Sequence, residues 1–340
     1  MAEIAMYGEM SREVAGHVSR RLLKRKKARI YTERFAQARE LPKKHGKTIN
    51  FRRYLALNLA VAPLAEGITP AGQKPRYEDV VARLEQYGDC LGITDVIQDT
   101  HHDPILKEMT NLCNDQIVET IETIRFAVLK SGTNVFYAGG VSARTSIQTT
   151  PQRGDFRKIE RSLNRNRAEK ITSVVKASQK ISTQPVEPAY YNLLHVDLKP
   201  DLEDLQDFVA FPEYSNSDKA LEGEIGACGA HRFLASDLYD PWLAAATGVS
   251  TTAFLSNGVE PSSAANPDVY PIITLAKDAY AAVRLQGENA VTPIVINPKP
   301  SAADPLGQRG WVGWKMWQCC VILNQLWMAR YEVACTANPS

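Results

Sequence analysis

The sequence predicts an α+β protein: a basic N-terminal arm, an extended β-hairpin, one very long helix and a central α/β region. Three observations carry that reading. Seven of the ten residues from Arg20 to Arg29 are Lys or Arg. Residues 47–97 read as two long strands whose joining loop is too poor in large apolar side chains to hold a core. Residues 103–131 keep a helical apolar period over a rod of roughly 42 Å at 1.5 Å per residue, more than twice the mean length of a globular helix.

The rest of the composition is that of a folded protein, with 44% hydrophobic and 23% charged residues. The 340 residues suit roughly two domains. No apolar run reaches the ~18 residues of a membrane span, and the first thirty residues carry no secretory signal, so no membrane is expected as a partner. Charge is polarised. Residues 1–54 hold fifteen Lys/Arg against five Asp/Glu, a net +10 in a chain whose total is +2. From His195 to Asp240 there are eleven acids and three bases. Such a chain can turn a basic surface to one partner and an acidic one to another; two solvated faces are the plainer alternative.

Taken in order, residues 9–38 read as one or two basic amphipathic helices, with Val14, Val18, Leu22 and Leu23 at helical spacing. Pro42 and Gly46 end them. KTINFRRYLALNL (47–59) is strand-like, and 62–75, with three prolines and two glycines, reads as an exposed loop. From Asp79 to Ile97 the chain is extended again, and the alternation changes face near Gly88, which predicts a bulge there. An isolated two-stranded hairpin is marginal in water, so this one should rest on something else, such as a neighbouring subunit.

Asp103-Pro104 supplies an N-cap and a proline for the long helix. Ile105, Met109, Leu112, Gln116, Ile121, Ile124 and Val128 form its stripe, with Gln116 the one polar break, and Gly132 follows its end. Residues 155–178 read as a second basic helix. Strands are expected at 190–196, 231–236, 270–276 and 293–298, and 247–268 as a long loop. Two C-terminal strands, 311–323 and 326–335, turn at Asn324-Gln325. They carry Trp311, Trp314, Trp317 and Trp327, four of the five tryptophans, placed to pack on the long helix.

No chemistry stands out. His45-Gly46-Lys47-Thr48 lacks the earlier glycine of a phosphate loop and precedes a strand rather than a helix. Gly223, Gly226 and Gly229 are spaced three apart, which is not the dinucleotide pattern. His101-His102-Asp103 is too close in sequence to converge on one ion. The six cysteines, none in a C-x-x-C pair, read as reduced thiols. No catalytic residue, cofactor or metal is expected.

Seven segments in order do resemble a known family: GKTINFRRY (46–54), EGITPAGQ (66–73), QYGDCLGITDVIQDTHHDPIL (86–106), SGTNVFYAGG (131–140), GEIGACGAHRFLAS (223–236), DVYPIITLAKDAYAAVRL (268–285) and DPLGQRGWVGWKMWQCCVILNQLWMARYEV (304–333). Together they are similar to the major capsid proteins of tailed bacteriophages, in the branch typified by the N-four coliphage. The resemblance implies the Hong Kong 97-like phage capsid fold. It assigns an arm to 1–45, an extended hairpin to 46–97 with its tip at 62–75, and a peripheral domain to 98–150 and 290–335 around a spine helix at 103–131. An axial domain falls at 151–289 and a tail at 336–340. It also implies a structural subunit rather than an enzyme, located in the virion and assembled in the host cytoplasm. Its partners would be copies of itself in hexamers and pentamers, a scaffolding protein, a portal, a possible decoration protein and packaged double-stranded DNA.

On that reading Glu66, Gly67, Thr69 and Pro70 touch a neighbouring subunit. Arg20, Arg21, Lys24, Arg25, Lys26, Lys27 and Arg29 face scaffold or DNA on the inner surface. The 237–267 loop is longer than the resemblance leads one to expect. An encapsulin-like compartment and a soluble nucleic-acid-binding protein are the alternatives.

Overall fold

A computed structural model describes residues 30–59, 61, 63, 72–96, 105–171, 188–210, 223–286, 291–300 and 304–338. Two sheets and one long helix dominate it. The helices are α1 (Thr32–Phe35), α2 (Ile105–Lys130), α3 (Arg153–Arg165) and α4 (Lys199–Glu203). A five-stranded sheet contains β1 (Gln37–Leu41), β4 (Glu85–Thr94), β11 (Tyr280–Leu285), β12 (Val291–Ile296) and β13 (Arg309–Ile322). A seven-stranded sheet runs in the order β5 (Val135–Tyr137), β14 (Met328–Val333), β10 (Tyr270–Leu275), β6 (Tyr190–His195), β9 (His231–Ser236), β8 (Glu224–Cys228), β7 (Phe208–Ala210). The strands β2 (Thr48–Tyr54) and β3 (Tyr77–Arg83) form a separate two-stranded ribbon.

The seven-stranded sheet is buried on both faces, which is why YYNLLH is a continuous apolar run rather than an alternating one. Tyr190, Leu194, Phe233, Ile272 and Tyr331 pack against Phe156, Ile159 and Leu163 of α3. Tyr191, Leu193, Leu234 and Ile273 face the other way, onto Tyr31, Phe35 and the C-terminal end of α2 at Phe126 and Leu129. The N-terminal half of α2 covers the other sheet. Its Met109, Cys113, Ile117 and Ile121 meet Ile93, Val312, Trp314 and Met316. One helix therefore clamps two sheets, which is the physical reason for its length. The buried stripe keeps the expected Met109 and Ile121 but is shifted by one residue between them: Leu112 is exposed, whereas Cys113 and Ile117 are buried.

The polar break at Gln116 has a partner on each side. Its Oε1 accepts from the Trp314 indole at 2.9 Å, and its Nε2 donates to Asp89 at 2.6 Å. Where the helix passes from one sheet to the other it buries Glu122. That carboxylate accepts from the backbone N–H groups of Tyr31 and Thr32, from Thr32 Oγ1 at 2.7 Å and from the Tyr239 hydroxyl at 2.5 Å. Burial pushes the Glu122 carboxyl up, and these donors pull it back. The residues following the arm are thus tied to the middle of the long helix.

Several expectations need correction. Residues 79–97 are not one strand of a free hairpin. β3 pairs with β2, and after the single residue Leu84 the chain enters β4, which pairs with β13 over its whole length. The change of face falls at that junction. Gly88 is not bulged: it pairs in register with Lys315, and a Cβ there would lie 2.6 Å from the Trp314 carbonyl. The C-terminal strands are not a hairpin either. β13 pairs with β4, β11 and β12, while β14 crosses to lie between β5 and β10. Gly132 does not adopt a left-handed conformation; a side chain there would run into Met328. In the expected N-terminal helices, only Thr32–Phe35 is helical among the described residues, and 37–41 is strand. The Asp103-Pro104 cap and His101-His102 lie outside the described residues.

The long loop before β10 is ordered by one buried carboxylate. Asp268 accepts from the backbone N–H groups of Ala244, Asn257 and Gly258 at 2.6, 2.9 and 2.7 Å. The loop is also stitched to the sheet end by pairing of Trp242 with Val269 and of Phe254 with Thr336.

Candidate subunit interface

The β2–β3 ribbon is built to stand clear of the body. Its base is fastened to this subunit: Ala82 and Leu84 are buried with Leu41 and Val283, and Ile49, Phe51 and Trp317 pack around them. Further out, opposite charges face each other across the strands. Arg52 forks onto Asp79 at 2.8 and 2.9 Å, and Arg53 reaches Glu78. Asp79 holds the Arg52 guanidinium above its usual value, and Arg52 holds the Asp79 carboxyl below its own. The Arg52 guanidinium also lies 4.2 Å over the Tyr77 ring. These pairs help to fix register in water, where screening leaves each of them weak.

Beyond Tyr54 the side chains turn apolar while exposure grows. Leu55 is 44% exposed, Leu57 59%, Leu59 85% and Val61 84%. The Gln73 side chain clasps the Asn58 backbone and holds the two arms together here, accepting from the Asn58 N–H at 2.9 Å and donating to its carbonyl at 3.0 Å. A row of large aliphatic groups with no cover is costly, at about 25 cal/mol per Å² of apolar surface left wet. The sequence predicts a strand over 47–59 and a neighbour contact at the loop tip 62–75, beyond this row. Its signal was present in L-A-L-N-L-A-V, where apolar residues recur at every second position outside any core. Glu66, Gly67, Thr69 and Pro70 lie outside the described residues, as do Arg20, Arg21, Lys24, Arg25, Lys26, Lys27 and Arg29.

A second exposed apolar edge is β12. Val295, Ile296 and the nearby Leu306 are each more than half exposed, beside a groove of about 550 Å³ that Trp311 and Pro300 help line. A third feature, missed in the sequence, surrounds Trp242. Arg144 lies 3.6 Å and Lys130 4.2 Å from its ring centre, and Arg330 approaches at 5.4 Å. The buried Glu332 carboxylate binds Arg144 through two contacts of 2.7 and 2.8 Å and Arg330 at 2.8 Å. Burial pushes the Lys130 ammonium down, whereas Glu332 holds Arg144 up. This knot locks the end of α2 to β14, where Arg330 also donates to the Lys130 carbonyl.

Among the described residues, no group of three or more His, Cys, Asp or Glu is arranged to hold a metal, and no helix is long and apolar enough to cross a membrane. All six cysteines are free thiols, Cys90 exposed and the others wholly or partly buried, and burial raises the thiols of Cys113, Cys228, Cys319, Cys320 and Cys335, Cys320 to about 12.

An extended ribbon, a long helix clamping one sheet and a second sheet carried at its far end together make the Hong Kong 97-like fold. Solved structures agree over nearly the whole chain. The capsid of Ralstonia phage GP4 superposes with a TM-score of 0.63 at 10% identity, covering 100% of both chains. The cyanophage Pam1 capsid gives 0.61 at 11% identity over 99% of this chain and 100% of that one. The capsid of cyanophage P-SCSP1u gives 0.61 at 11% identity over 95% and 94%. No protein-family model matches the sequence, and no curated protein does. The fold is that of phage capsid subunits.

Proposed function

We propose that this chain is the major capsid protein of a tailed bacteriophage, a structural subunit that assembles with copies of itself into the icosahedral shell around a double-stranded DNA genome. The observation that carries the reading is the uncovered aliphatic row on the ribbon, in a fold shared end to end with phage capsid structures. A subunit that presents such a row needs a neighbour to cover it, and closed symmetry multiplies modest contacts into a stable particle. The tip residues Glu66, Gly67, Thr69 and Pro70 extend the same contact. The basic arm from Arg20 to Arg29 turns inward to scaffold or DNA. Copies of itself in hexamers and pentamers, and a portal, are its further partners. The protein belongs in the virion, is assembled in the host cytoplasm and catalyses no reaction. The branch typified by the N-four coliphage rests on the sequence segments alone.

The test is electron microscopy and light scattering of the expressed protein with its scaffold. Closed particles or capsomers are expected from the native chain. The variant Leu57→Ser, Leu59→Ser, Val61→Ser should remain a folded subunit, because none of the three contributes to a core, and should fail to assemble. A native protein that stays monomeric at high concentration with scaffold present sinks the reading, and particles filled with an enzyme rather than nucleic acid favour the encapsulin-like compartment.

A further inference from the structure

The charges along α3 and just after it are not balanced. Asp155 is held by Lys158 at 2.7 Å, Glu160 by Lys170 at 3.1 Å and Glu169 by Lys277 at 3.0 Å. Arg153 is taken by Asp207. Every acid of this stretch therefore has a lysine, and four arginines have no acid partner among the described residues: Arg157, Arg161, Arg165 and Arg167. All four are exposed. Three of them recur every fourth residue, so they rise along one side of the helix in steps of about 6 Å. Between them runs a shallow groove of about 530 Å³, lined also by Glu160 and Asn164. Asn164 Oδ1 accepts from the Tyr190 hydroxyl, which leaves its amide N–H groups as further donors.

We propose that this face of α3 binds the phosphodiester backbone of duplex nucleic acid. Guanidinium groups fork onto phosphate oxygens, and a ladder of them whose neighbouring acids are each paired with a lysine offers a net run of positive charge to a polyanion. The helix dipole accounts for cations in the last turn, at Arg165 and Arg167, but not for Arg161 and Arg157 further in. Arg167 adds a separate indication. It occupies the left-handed position that closes the helix, with φ +55°, where glycine is less strained. An arginine stands there against the preference of the backbone. The proposal deepens the shell reading, on which it rests for where nucleic acid is met.

The experiment uses full-length subunits kept below their assembly concentration and a labelled short DNA duplex of mixed sequence, with binding followed by fluorescence anisotropy across a salt series. Each phosphate contact contributes about 0.9 to the slope of log affinity against log salt. The variant Arg157→Gln, Arg161→Gln, Arg165→Gln should lower that slope by about 2.7. A control that removes three exposed lysines elsewhere, Lys43→Gln, Lys44→Gln, Lys74→Gln, should change it far less. Arg167→Gly should lower it by about 0.9 while the melting temperature holds or rises. An unchanged slope in the triple variant overturns the proposal, as does an equal drop in the lysine control. An unchanged slope, with loss of particles when the same variant is concentrated with scaffold, overturns the proposal and reassigns the ridge to a contact with an acidic protein surface. Electron microscopy keeps the two readings apart: native particles with no slope change sink only the ridge, and native protein that never assembles sinks the shell.

Discussion

His231 shows how far a single residue can be set by its place in the sheet. It is almost wholly buried, with its Nε2 3.1 Å from the Phe156 carbonyl and its Nδ1 3.3 Å from the Asn192 amide. The neutral ring, donating to the carbonyl and accepting from the amide, satisfies both. The Phe156 and Tyr190 rings flank it, and the charges of Glu160 and Lys170 act on it in opposite directions. Burial pushes its titration down to about 4 from the ordinary 6.5. Below pH 6.5 the unfolded chain binds a proton that the folded one refuses, so this stability is complete above 6.5 and is lost as pH falls towards 4. The full effect is about 3 kcal/mol. Urea unfolding of the native subunit should show the decline, and His231→Asn should flatten it; identical pH profiles for the two would rule the assignment out. Nothing in HRFLAS distinguishes this histidine from a surface one, because its character comes from Phe156 on a helix far away in the chain.

Among the elements, those whose signal is local were legible. α2 announced itself by period and length, and KTINFRRY by its β-branched and aromatic residues. Strands that need a partner to make sense were missed: β1 exists because it pairs in parallel with β11, more than two hundred residues on, and β7 is three residues on the edge of a sheet. The strands at 270–276 and 311–335 were found, but the sheet each joins is decided by the crossing near residue 324, which no periodicity encodes. Gln116 is the reverse case, a break in a pattern that marks a real contact. Gln116→Leu would leave the buried Trp314 N–H without its acceptor. A loss of about 1–3 kcal/mol in urea unfolding is expected, with a shift in tryptophan emission. A neutral or stabilising result would mean that the indole finds another partner.

For the molecule as a whole, the sequence resemblance had the right fold, while the apolar row at 55–61 and the arginine ridge emerged only once the cores were known and these side chains were left outside them. The ribbon is also separable from the body. Replacing residues 55–75 by a short turn leaves the base cluster around Leu41, Ala82, Leu84 and Val283 untouched. The shortened subunit should therefore keep its melting temperature within a few degrees and lose the ability to form particles; a large drop in melting temperature would show that the outer ribbon folds back onto its own subunit. The junction at Leu84 has a mechanical consequence as well. Because β3 runs into β4 through that one residue, a pull on the ribbon acts along the β4–β13 ladder and not across it. Its rungs are then stressed together in shear, and must fail together, instead of opening one at a time like a zip. A particle under internal pressure would transmit tension from each ribbon into the strand best placed to resist it, and through Trp314 and Gln116 into the long helix behind.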